Sequence, residues 1–153
     1  MNDAIDILTL ASELPRRRAC RALIVLTEDA GGQQEWAGRL AERAGGRHLD
    51  VLDRFVQDEK LSSRISTFGV NDLFSLLSTE DGKLVVATGF EFLRASWVAR
   101  SGAMTDFAKQ AEFWSKSPSL ILVTQKDATL SKLGASKRFQ YTYVVDQRDT
   151  LAL

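Results

Sequence analysis

The residues that build most metal and nucleophile sites are scarce in this chain. Its 153 residues include one cysteine, Cys20, and one histidine, His48. A lone cysteine makes no internal disulfide, which suits a reducing compartment, and it excludes the common Cys/His zinc frameworks. Net charge is missing too. Lys+Arg and Asp+Glu both total 20, so general attraction to nucleic acid or to an acidic membrane is not expected. No apolar run approaches a membrane span. The arginines near the N-terminus follow the apolar stretch, the reverse of a secretory signal, and the expected location is the cytoplasm. No G-x-S-x-G elbow is present.

What is there suits one globular domain. Hydrophobic residues make up 44% and charged residues 26%, an ordinary balance for a chain long enough for one real core. Apolar runs alternate with amphipathic stretches. "ALIVLT" (22–27), "RHLDVLD" (47–53), "KLVVAT" (83–88), "SLILVTQK" (119–126) and "FQYTYVVD" (139–146) read as strands. Three of them are apolar throughout, as in strands buried on both faces.

Helical spacing is expected over 3–14 with Asp3 as N-cap, 34–45 ended by Gly45 and Gly46, 69–82, 89–102, and 104–117 with Thr105 as N-cap. Residues 127–137 read as a helical turn, and 54–68 as a loop or short helix. The order predicts a single three-layer α/β domain over residues 1–153. Its mostly parallel sheet of about five strands would carry helices on both faces. Trp36, Trp97 and Trp114 lie beside other apolar residues and are expected in the core. Phe92 falls off the face set by Phe90, Leu93 and Trp97, and is the expected exposed apolar contact.

The turn "TEDAGGQQ" lies where a strand hands over to a helix. A phosphate-binding loop there needs G-x-x-x-x-G-K-[ST]. Its glycines let backbone N–H groups wrap phosphate, its lysine neutralises the outer phosphates, and its hydroxyl holds Mg²⁺. Laid on this turn, the template meets Thr27 for the first glycine, Gly32 for the second, Gln33 for lysine and Gln34 for Ser/Thr. Glu28 and Asp29 add negative charge where phosphate would lie. A later strand of such enzymes ends in a metal-binding Asp. Here it ends in Thr88, with Glu91 three residues on. Two losses at two expected places fit a decayed site. The plainer reading is a strand-to-helix turn whose glycines permit tight geometry.

With this order of elements, "RALIVLTEDAGGQQEWAGRLAERAGGRHLDVL", "LVVATGFEFLRASW" and "PSLILVTQKD" together resemble the small P-loop protein of BREX-type phage-defence operons, BrxF. The resemblance implies a P-loop NTPase-like fold, a bacterial antiviral context and larger protein subunits as partners. The family's lysine, hydroxyl and aspartate have no equivalents at Gln33, Gln34 and Thr88, so it carries over no catalytic residue.

The expected function is a non-catalytic interaction or regulatory subunit. The alternative is an ATP- and Mg²⁺-binding protein that contacts phosphate through Gly31, Gly32, Gln33 and Gln34, helped by a helix N-terminus. A further alternative is a DNA-binding accessory module. It would use Arg16, Arg17, Arg18 and Arg21, with Lys132, Lys137 and Arg138 as a second basic group. Solvated connector charges explain the same arginines.

Overall fold

The structure is a computed structural model describing residues 4–133, 137–138 and 141–153. It is a three-layer α/β fold. The central sheet has five parallel strands in the order β2-β3-β4-β1-β7, where β1 is Ala22–Thr27, β2 Arg47–Asp50, β3 Leu84–Thr88, β4 Ser119–Gln125 and β7 Val144–Asp146. Two short strands, β5 (Lys137–Arg138) and β6 (Tyr141–Thr142), pair antiparallel as a separate ribbon.

Alternation along each strand separates two cores. On one face Leu23, Val25, Val86, Ile121, Val123 and Val145 pack against α1 (Ile7–Glu13) and α2 (Gln33–Ala44), chiefly Trp36, Ala37 and Leu40. On the other face Ile24, Leu26, Val85, Ala87, Leu120, Leu122 and Val144 carry the aromatic core of Phe55, Phe74, Phe90, Trp97, Phe107 and Trp114. Strands covered on both sides must be apolar at every position, which is why "LIVL", "LVVA" and "LILV" carry no polar residue. All three tryptophans are core, as expected.

The remaining helices are α3 (Val51–Gln57), α4 (Glu59–Ser62), α5 (Val70–Ser78), α6 (Glu91–Trp97), α7 (Ala103–Glu112) and α8 (Ala128–Ser131). Several boundaries differ from expectation, and at α1 and α3 the cap explains the difference. Asp6, not Asp3, caps α1 through the Thr9 N–H at 3.1 Å, and Asp3 lies outside the described residues. The strand expected over 47–53 stops at Asp50, because that carboxylate turns back to the Asp53 N–H and opens α3. Gly102, at φ 77°, precedes α7 in place of Thr105. The expected last strand is interrupted into β6 and β7, and residues 139–140 lie outside the described residues.

Gly89 follows β3 at φ 75°, a region that costs an L-residue roughly 1–2 kcal/mol, and a methyl there would overlap the Asp50 carboxylate. Asp50 is also the α3 cap, so moving it loses about 1 kcal/mol more. Gly89→Ala is therefore expected to destabilise by about 2–3 kcal/mol. Urea denaturation checks this as a lower midpoint at unchanged slope.

Candidate functional site

Crossover connections leave the neighbouring strands β1 and β4 for opposite faces, α2 on one side and the aromatic layer on the other. In open α/β sheets the crevice beyond the strand C-termini at such a switch point is where ligands bind. The glycine turn and Glu91 both lie there.

A feature of the sequence that the template reading passed over organises this edge. Each of the three central strands carries a threonine at or next to its C-terminal end: Thr27 and Thr88 close β1 and β3, and Thr124 is the penultimate residue of β4. All three are buried. Each hydroxyl makes two hydrogen bonds. Thr27 donates to the Asp29 carbonyl at 2.8 Å and accepts from Gln33 Nε2 at 2.8 Å. Thr124 donates to Glu91 Oε1 at 3.2 Å and accepts from Arg94 Nη1 at 2.7 Å. Thr88 donates to Gln34 Oε1 at 2.9 Å. Its second bond is with His48 Nε2 at 2.8 Å. Burial lowers the His48 pKa against the opposing pull of Asp50, so the imidazole is neutral at pH 7.

Gln33 is 3% exposed. Its amide nitrogen donates to Thr27 and to Glu91 Oε1, the latter at 3.2 Å. An amide NH₂ has two protons, so none remains for a ligand. Glu91 Oε1 also takes the Gln125 N–H at 3.0 Å. The Arg94 guanidinium continues the network to the Gln125 carbonyl and to Asp127, the latter at 3.4 Å. In the glycine turn, the Gly31 N–H donates to Asp29 Oδ1 at 2.9 Å. A carboxylate of the chain thus holds a backbone donor that a phosphate loop would offer its ligand.

A second, charged cluster ties the ends of β1, β4 and β7. Lys126 meets Glu28 and Asp146, each at 2.9 Å, and Arg148 meets the same two carboxylates at 2.9 and 3.2 Å. Burial pushes the Asp146 carboxyl up, but its bonds to Lys126 and Arg148 outweigh that and hold it below the usual range. Hydrogen bonds to Asp146 and Glu28 raise Lys126.

Of the residues singled out in the sequence, Gly31 and Gly32 are exposed in the turn, with Gly32 left-handed at φ 79° ahead of α2. Gln33 and Gln34 are brought beside Glu91 and Thr88 respectively. The arginines lie at the opposite, N-terminal edge of the sheet and do not act as one group. Arg16 and Arg18 are exposed and Arg21 is half-buried. Arg17 is 8% exposed, donates to the Cys20 and Thr142 carbonyls at 3.1 Å each, and lies over the Tyr141 ring. That anchor holds Cys20 at a positive φ of 56° and leaves Arg17 unavailable to a phosphate. Lys132 is exposed, and the Lys137 and Arg138 side chains lie outside the described residues.

Phe92 corrects the expectation of an exposed contact. It is half-buried, edge-on to Phe55 with ring centroids 5.1 Å apart, because α3 packs there, across the expected end of a strand and the start of a loop or short helix. Among the described residues, no helix is long and apolar enough to cross a membrane. Compared with family models, with curated proteins and with solved structures, the chain matches none.

Proposed function

We propose that this chain is a non-catalytic, P-loop-like protein whose phosphate site has been replaced by internal hydrogen bonds, and that it works as an interaction or regulatory subunit. One observation carries the reading. The positions that hold lysine, Ser/Thr and Asp in a working nucleotide site are Gln33, Gln34 and Thr88, and the Gln33 amide nitrogen, the Gln34 Oε1 and the Thr88 hydroxyl all bond within the protein. In a working site the P-loop hydroxyl and the strand aspartate hold one Mg²⁺ between them, so they must lie side by side. Gln34 and Thr88 lie side by side and bond directly at 2.9 Å. They meet although β4 separates β1 from β3, because α2 leans across β3.

The glycine turn between a central strand and a helix supports the same reading. So does the placement of that turn at the sheet's switch point. The bacterial defence setting and the larger operon partners follow from the resemblance to BrxF.

Titration calorimetry with ATP and Mg²⁺ tests the first half. No binding heat is expected at about millimolar nucleotide, where even an affinity of about −4 kcal/mol would register. Saturable heat abolished by Gly32→Asp would overturn the reading and restore the nucleotide-binding alternative. Co-expression with the products of the adjacent genes tests the second half: a stable complex with a larger subunit is expected, and a chain that purifies alone from all of them rejects the role.

A further inference from the structure

A cavity lies beside the closed network. It has a volume of about 560 Å³, within the usual range for binding sites. It is bounded by α6, the 98–102 turn, the start of α7 and Thr129 of α8, with Glu91 and Gln125 on the strand side.

Its charges are unevenly matched. Arg94 is committed to Thr124, the Gln125 carbonyl and Asp127, so that cation and the Asp127 carboxylate cancel. Glu91 has no such partner. Its Oε1 collects three donors from Gln33, Thr124 and Gln125. Its Oε2 takes none, and no lysine, arginine or histidine pairs with it among the described residues. On another wall, Arg100 donates to the Ser66 carbonyl at 3.2 Å and meets no carboxylate among the described residues. Val98 lines the same cavity and is 84% exposed.

We propose that this cavity receives a short segment of a partner protein that inserts an arginine towards Glu91 and sets a carboxylate near Arg100. A guanidinium brings five donors in a plane, and besides Glu91 the cavity is lined by Thr105 and Thr129, whose hydroxyls can accept hydrogen bonds. Its methylene stem suits Met104 and Val98, which would pack along it. The proposal rests on the interaction-subunit reading and names the surface that reading leaves open.

The test is a ¹H–¹⁵N NMR titration of the full chain with N-acetyl-arginine, whose carboxylate is free, against N-acetyl-citrulline, which has the same shape without the cationic charge. Saturable shifts are expected at the amides around Glu91, Ala95, Thr105 and Thr129. Citrulline should bind at least tenfold more weakly. Glu91→Gln keeps an oxygen for the three donors and should also bind at least tenfold more weakly, and Arg100→Ala about threefold more weakly. Ala95 is exposed and lines the cavity, so Ala95→Phe should abolish the shifts without disturbing the network, whether or not the Glu91 variant folds.

The proposal is overturned by no saturable shift, by an equal response to citrulline, or by unchanged binding in Ala95→Phe. The calorimetry above separates the two ideas. No arginine response with no ATP heat leaves the interaction reading standing and moves its surface elsewhere. ATP heat removes that reading itself.

Discussion

Gln33→Glu is expected to be the most damaging conservative change in the protein at neutral pH. The substitution alters the side chain by almost nothing in volume, but it sets a second carboxyl where the Gln33 amide donates to Glu91 at 3.2 Å. At that separation and an effective dielectric of about 20, two carboxylates repel by about 5 kcal/mol. Relaxation and shared protonation reduce the net loss to about 3 kcal/mol at pH 8, out of a total stability of about 5–15 kcal/mol. The loss has a defined pH dependence. Repulsion raises one carboxyl of the pair above its unfolded value of about 4.3. The stability is therefore retained below that unfolded value, where the proton is bound, and is lost as pH rises through the raised folded value.

Urea denaturation at pH 5 and pH 8 checks this. The deficit should grow across the interval in Gln33→Glu. In Gln33→Met, which loses both hydrogen bonds without adding charge, it should stay near 1–3 kcal/mol at both pH values. A Gln33→Glu protein as stable as the parent at pH 8 would mean that the amide is not sealed into the network. The turn would then be open to a ligand.

Trp97→Ala should rank with it, for a reason unrelated to the site. Trp97 is 1% exposed, at the end of α6, and its indole N–H donates to the Phe68 carbonyl at 2.8 Å. Phe68 in turn meets Phe55 edge-on at 4.9 Å, and Phe55 meets Phe92. Truncating the indole removes the side chain that joins α6 to the segment before α5 and empties a large volume. Such truncations cost about 3–5 kcal/mol. Trp97→Phe refills most of the space but leaves the Phe68 carbonyl without its donor, at about 1–3 kcal/mol. The expected order of urea midpoints is parent, then Trp97→Phe, then Trp97→Ala. Equal midpoints for the first two would show that the hydrogen bond adds nothing to the packing.

Particular residues show how far the sequence could be read. The alternation of "LIVL", "LVVA" and "LILV" with helical stretches announced a parallel sheet covered on both faces, because burial on both sides leaves no room for a polar residue. Gly45 at φ 73° ended α2 as expected, since a left-handed cap is a local requirement. Caps supplied by acidic side chains were less legible. Asp6 and Asp50 each had neighbours of the same type, and only the folded geometry selects the one whose oxygen reaches an amide. The short helices of 51–62 were only partly legible, 51–53 reading as strand and 54–68 as a loop or short helix, for a related reason. Their periodicity is brief, and they are held by Phe55 and Leu61 in the aromatic core rather than by their own propensity.

By itself, the sequence determined the α/β class, the two-sided burial of the central strands, the core tryptophans and the absence of lysine, hydroxyl and aspartate from the template positions. These are properties of residue type and of period, and neither needs a partner in space. Tertiary structure alone decided what took the place of the missing chemistry. Gln33 and Glu91 are 58 positions apart, and Gln34 and Thr88 are 54 apart. A hydrogen bond between such residues exists only once the sheet order sets strand ends side by side and α2 crosses β3. The same holds for the arginine run. Its charges are plain in one dimension, and packing buried Arg17 under Tyr141 while leaving Arg16 and Arg18 in solvent.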